Sequence, residues 1–192
     1  MYKIVLVVML FGGVFFGCTK AIKEDPLPFA PVEVQELTES EIKNRVQLIC
    51  DKTCTKEESL QSVIIADKVT EVIFGKCFED YFKAKSTFYF SKDTGAQVVA
   101  KLKSTKLDLG LTYFVKKRNP FTGNIVVGFE NGDGKIHANR VAWSSMSLKD
   151  KVSNVAHELT HFVGYKHNGN SPTGNGESVP YQANKAVESC FK

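Results

Sequence analysis

The chain has 192 residues, 43% of them apolar and 24% charged, with a net charge of +4. That length carries one domain with a core of its own, and the composition excludes a disordered chain. The charge is too small to suggest nucleic acid as a partner, and no basic stripe is interleaved with aromatic residues.

The first element is Lys3 followed by an apolar run of 13 residues, Ile4 to Phe16. The run is too short to span a bilayer comfortably and has the layout of a secretory signal. It ends in Gly17-Cys18 with no small-x-small cleavage site. "FFGC" resembles the end of a bacterial lipoprotein signal, with Phe15 where that pattern usually has leucine. The resemblance implies cleavage after residue 17, a lipid on Cys18 and a membrane anchor for an exported protein. Thr19, where an aspartate would favour retention, implies the outer membrane, with the domain facing the periplasm or the cell exterior. Residues 1–17 are therefore expected to be a signal peptide and 18–36 a tether. The tether holds three of the six prolines and has no clear period. The domain is expected over 37–192.

Within that domain the pattern predicts a helix over 38–49, with Thr38 and Glu41 as a capping box. Thr55 and Glu58 repeat the signal and open a second helix that runs from Lys56 towards Gly75. "STFYF" at 86–90 is a candidate strand, 91–106 a short helix and Leu111 to Val115 a strand. Asn131-Gly132-Asp133-Gly134 lies between two strand-like runs, a strong hairpin signal. Ser147 and Asp150 open a further helix, and "QANKAVESC" near the end predicts a last one. Helices first, then a small, mainly antiparallel sheet, then a long helix make an α+β protein.

After Cys18 four cysteines remain, Cys50, Cys54, Cys77 and Cys190, an even number in a chain that carries an export signal. Their spacing suits disulfides rather than a zinc knuckle. If the helix from Lys56 runs unbroken to near Gly75, Cys77 lies roughly 30 Å from Cys50 and Cys54. Disulfide Cα atoms stand within about 7 Å of one another. The expected pairs are then Cys50–Cys54 and Cys77–Cys190; a kink in the helix would free Cys77 to reach back.

The helix opened by Ser147 holds the chemistry. Three of the four histidines fall within "HELTHFVGYKH", residues 157–167. His157 and His161 are four apart, so they share a face with room for one ion between them. Leu148, Val152, Val155, Leu159 and Val163 form a second, apolar face. Glu158 sits about 100° round from His157, at the edge of the histidine face, where a carboxylate can act on a water without binding the ion. In a continued helix His167 would lie about 15 Å beyond His157 and point elsewhere. Gly164 can end the helix in the left-handed conformation and turn His167 back. Three neutral imidazoles with one open position are the donor set of a catalytic zinc.

"HELTHFVGYKH" matches H-E-x-x-H-x-x-G-x-x-H, and the chain thereby resembles the metzincin zinc endopeptidases. The resemblance covers about eleven residues. It implies a zincin-like α+β domain, one zinc held by His157, His161 and His167, Glu158 as general base, and a protein or peptide substrate. Metzincins also have a methionine turn below the metal, whereas this chain has no methionine after Met146. "ESVPYQ", Glu177 to Gln182, is the candidate replacement, with Pro180 enforcing a tight turn. In some metzincins, such as astacins, a tyrosine just past that methionine ligates zinc or binds the oxyanion. Tyr181 stands at a similar place, either in that role or as a packing residue. "GKIHANRVAW" is expected to be the edge strand that pairs with substrate, and its His137 a surface residue. In the rival gluzincin arrangement Glu188 would replace His167; Gly164 followed by His167 is the more specific feature. A monomer is expected. The alternative to a peptidase is a zinc-holding lipoprotein without proteolytic activity, a binding module or a cell-wall amidase.

Overall fold

The computed structural model describes residues 45–116, 127–130, 132–167 and 177–192. The expected signal, Cys18, the tether and the start of the helix predicted over 38–49 lie outside them. None of the helices among the described residues is long and apolar enough to cross a membrane.

The first described element is a strand, β1 (Val46–Cys50), where the pattern predicts the end of a helix. Val46 and Leu48 face the core and Ile49 faces solvent, the alternation of a strand. Helix α1 (Lys56–Ile73) follows, opened by the expected capping box: Glu58 N–H donates to Thr55 Oγ1 and Thr55 N–H to Glu58 Oε2. Gly75 separates α1 from α2 (Lys76–Lys83). Among the described residues the 86–90 segment forms isolated bridges, Phe88 with Ser91 and Tyr89 with Ser178. Helix α3 (Gly95–Ser104) carries a second capping box, Thr94 with Gln97. The strands β2 (Leu107–Phe114), β3 (Gly128–Glu130) and β4 (Lys135–Asn139) come next. The chain closes with α4 (Arg140–Ser145), α5 (Leu148–Phe162) and α6 (Val179–Cys190).

The sheet order is β1-β2-β4-β3. Both β1 with β2 and β2 with β4 run parallel; among the described strands only the β3–β4 hairpin is antiparallel. The expected mainly antiparallel sheet is therefore corrected to a mixed, mostly parallel one. Parallel neighbours need long crossovers, and α1, α2 and α3 supply the first. The protein is thus mixed α/β, and among the described residues α1, α2 and α3 lie between β1 and β2. The hairpin at Gly132–Gly134 is as predicted, but β4 lies inside the sheet, and the outer described strands are β1 and β3. Arg140 onwards is helix, so "GKIHANRVAW" is half strand and half helix.

On one face of β2, Leu107, Leu109, Leu111 and Tyr113 are buried. They join Val69 of α1, Val155 and Leu159 of α5 and Ala183 of α6 in a single core. α5 packs on α6 and α1, and reaches β3. Two disulfides join the expected partners, Cys50–Cys54 and Cys77–Cys190, with Cα atoms 5.9 and 5.7 Å apart. The second ties α2 to the end of α6.

Candidate metal centre

Helix α5 begins at a capping box in which Asp150 N–H donates to Ser147 Oγ and Ser147 N–H to Asp150 Oδ2. Val152, Val155, Ala156 and Leu159 are buried in the core. This anchors one face and fixes the rotation that presents His157 and His161 on another. The helix stops at Val163. Gly164 follows with φ +96°, its N–H bonded to the His161 carbonyl at 2.7 Å, while Tyr165 N–H reaches the Thr160 carbonyl at 2.9 Å. These two bonds are the Schellman arrangement, which favours glycine at the left-handed position. The chain doubles back as the sequence predicts.

The result is a cluster of three imidazoles. His157 Nε2 lies 3.1 Å from His167 Nε2 and 3.2 Å from His161 Nε2. Donor atoms of all three lie within 4.8 Å of one another. Four donors placed tetrahedrally at about 2.05 Å from one ion would stand about 3.3 Å apart, close to the two short separations. Proton bookkeeping points the same way. His161 Nδ1 lies 2.8 Å from the Tyr165 carbonyl, which can only accept. That assigns the proton to Nδ1 and leaves a lone pair on His161 Nε2. One proton on His157 Nε2 cannot serve the lone pairs of both neighbours at once. A cation at the centre serves all three, so the residues could hold one metal ion.

Burial, reinforced by the positive charge His161 and His167 would carry, pushes His157 down to about 3, with the Pro180 backbone acting weakly in the opposite direction. His157 is therefore neutral, as a ligand must be. His167 is lowered too, by burial and then by His161. His157 Nδ1 and His167 Nδ1 are buried without a hydrogen-bond partner among the described residues.

Glu158 is 4% exposed. Its Oε2 accepts the N–H of Glu130 at 3.0 Å, which ties the carboxylate to the end of β3. Burial pushes its pKa up to about 7; the Glu130 N–H opposes the rise and the Glu130 carboxylate adds to it. The Glu130 side chain turns away into the hairpin, where Oε1 accepts from Gly132 N–H at 2.7 Å and from Gly134 N–H at 3.3 Å. Both glycines have positive φ, 88° and 73°. Sequence reasoning missed Glu130: its contact with Glu158 spans the fold, and no local pattern announces it.

Tyr181 lies in the first turn of α6, its ring centroid 5.0 Å from that of His157 and 4.9 Å from that of His167. The expected tight turn at "ESVPYQ" is instead a helix start: Ser178 is the N-cap and Pro180 sits in the first turn, where its missing N–H costs nothing. Glu188 is exposed on α6 and is not among the clustered donors; its backbone carbonyl receives Lys149 Nζ at 3.2 Å. His137 lies apart from the cluster as well, bonded to Asp133 Oδ2 at 2.9 Å and stacked on Phe129. Of the predicted site residues the fold thus brings together His157, His161, His167 and Tyr181, with Glu158 next in chain to the first.

Compared with protein-family profiles, curated proteins and solved structures, the chain matches none.

Proposed function

We propose that this protein is a zinc-dependent endopeptidase of metzincin-like, zincin-type architecture. The observation that carries the reading is the convergence of His157, His161 and His167, with a buried carboxylate, Glu158, beside the first of them. Zinc suits three neutral imidazoles better than magnesium or calcium, which prefer oxygen donors. When bound, zinc supplies a Lewis acid that polarises a carbonyl and lowers the pKa of water towards about 7.

The chain's own residues do the rest. The Glu130 N–H fixes Glu158 through Oε2, and Oε1 is then the atom that takes a proton from the attacking water and returns it to the leaving amine. Burial holds Glu158 near the pH at which it works, which favours proton transfer in both directions. The Tyr181 hydroxyl donates to the oxyanion of the tetrahedral intermediate. An extended peptide lies along the outer edge of β3, the strand attached to Glu158, by strand addition. The two disulfides fit an oxidising compartment, and lipidation at Cys18 would hold a monomeric domain at the outer membrane.

The test is metal analysis of the purified protein, together with digestion of a protein substrate by the native chain, Glu158→Gln and Tyr181→Phe. About one zinc per chain is expected in all three. Turnover should be lost in Glu158→Gln and fall about 100-fold in Tyr181→Phe. Zinc without hydrolysis in the native chain would favour a binding module or an amidase. Undiminished hydrolysis in Glu158→Gln would move the chemistry elsewhere. Undiminished turnover in Tyr181→Phe would make that ring a packing residue.

A further inference from the structure

Tyr165 is held at three points. Its N–H is bonded to the Thr160 carbonyl, its ring is 4% exposed with Lys101 Nζ 4.7 Å from the centroid, and its hydroxyl donates to Asp93 Oδ2 at 2.8 Å. Its carbonyl is the acceptor for His161 Nδ1 at 2.8 Å. We propose that Tyr165 and Asp93 are positioning residues for the metal centre: Asp93 locks Tyr165, and the locked carbonyl sets the tautomer and tilt of His161.

The proposal rests on the reading of the three histidines as ligands of one cation. Where the second nitrogen of a ligating imidazole is bonded, that bond decides which nitrogen carries the lone pair and where the ring points. For His161 this duty falls to the Tyr165 carbonyl beyond the helix end; a helix carbonyl holds the N–H of Tyr165, but not the peptide that carries this acceptor. Without a lock, the peptide after Tyr165 could rotate and release Nδ1. The lock comes from a distant part of the chain. Asp93 precedes the N-cap of α3, and its own N–H is bonded to Ser91 Oγ at 3.0 Å. Four residues earlier Tyr89 N–H is bonded to the Glu177 carbonyl at 3.2 Å, just ahead of α6. Between them Phe90 takes φ 64°, a conformation that a bulky side chain adopts only where its surroundings impose it. The 89–93 segment therefore braces the start of α6 on one side and Tyr165 on the other. A phenylalanine at 165 would fill the core equally well. The hydroxyl is explained by its bond to Asp93.

The experiment is zinc titration of the full chain against a chromophoric chelator, for the native protein, Tyr165→Phe, Asp93→Ala, Asp93→Asn and the Tyr165→Phe/Asp93→Ala pair. Cobalt-substituted spectra and melting of the metal-free forms are recorded alongside. Loss of such an outer partner weakens metal binding about 10- to 100-fold. Tyr165→Phe and Asp93→Ala should each lose about tenfold in zinc affinity and shift the cobalt bands. The pair should lose no more than either alone, because both break one bond. Asp93→Asn keeps an acceptor and should keep most of the affinity. Native-like affinity and cobalt spectra in Tyr165→Phe and Asp93→Ala would overturn the proposal, as would an affinity loss that only tracks a lowered melting point of the metal-free form. A native chain that binds no zinc would overturn the ligand reading beneath it, a separately visible result.

Discussion

Gly164 donates its N–H to the carbonyl of His161 across 2.7 Å, and through that bond a helix histidine and the turn towards His167 are held together. At φ +96° the position suits glycine alone. A Cβ there would meet no close atom, the nearest being Lys101 Nζ at 3.7 Å. The cost of Gly164→Ala is therefore backbone strain, about 1–2 kcal/mol if the turn is kept. If the turn relaxes instead, His167 moves. Either way zinc affinity should fall further than chemical-denaturation stability does. Unfolding curves and zinc titration of the same variant check this; equal losses in the two would show that the turn does not serve the metal.

The second prediction separates the two ligand sets. His167→Ala removes one of three donors and should weaken zinc binding by on the order of 100-fold or more, beyond what an outer partner contributes. Glu188→Ala, on the exposed face of α6, should leave binding unchanged. Zinc lost in Glu188→Ala and kept in His167→Ala would reverse the assignment.

Much of this centre was legible in the sequence because it is local. The four-residue spacing of His157 and His161, the Ser147–Asp150 cap and the glycine before the last histidine all act within twenty-one residues, 147–167. The Gly132–Gly134 hairpin and α1 were legible for the same reason. What escaped is non-local. Val46–Cys50 continues an amphipathic run from the preceding residues, and only its partner Leu107–Leu111, far along the chain, makes it a strand. Parallel pairing leaves no turn signal, so the hairpin dominates the sequence pattern, which predicts a mainly antiparallel sheet. Glu130 against Glu158 and Asp93 against Tyr165 are long-range contacts, and in the sequence Glu130 and Asp93 look like ordinary surface polar groups.

The third prediction concerns acid. Glu79 of α2 takes Lys103 Nζ of α3 at 2.6 Å and Lys83 Nζ at 2.5 Å. Chiefly Lys103, and then Lys83, hold its pKa down from an ordinary 4.5 to about 2. A depressed carboxyl contributes stability that is fully present above its unfolded value and fades as pH falls towards its folded one. The contribution of Glu79 should therefore fade between about pH 4.5 and 2. Urea midpoints of the native chain and Glu79→Gln should differ at pH 6 and converge as pH approaches 2. The pair is partly exposed, so added salt should shrink the difference at pH 6. A difference that does not change with pH would mean that Glu79 acts by packing, not charge.

The last prediction weighs the two disulfides against each other. In the chain-entropy description a crosslink stabilises by restricting the unfolded chain, more so for longer loops. Cys77 and Cys190 are 113 residues apart, Cys50 and Cys54 only four. The model gives about 5 kcal/mol for the first and about 2 for the second, as upper figures. Each kcal/mol shifts the melting temperature of a domain this size by about 2–4 °C, so losing the long loop should cost up to about 10–20 °C. The metal centre should suffer less. Tyr81 of α2 donates to Gln182 Oε1 at 2.8 Å, near the start of α6, and that bond does not need the disulfide at the far end. Cys77→Ser/Cys190→Ser should therefore melt much earlier than Cys50→Ser/Cys54→Ser yet bind zinc as the native chain does at low temperature. Equal melting losses in the two variants would show that the long crosslink does not work through the unfolded chain. A lost zinc site at low temperature would show that α6 is positioned by the disulfide rather than by its packing on α5.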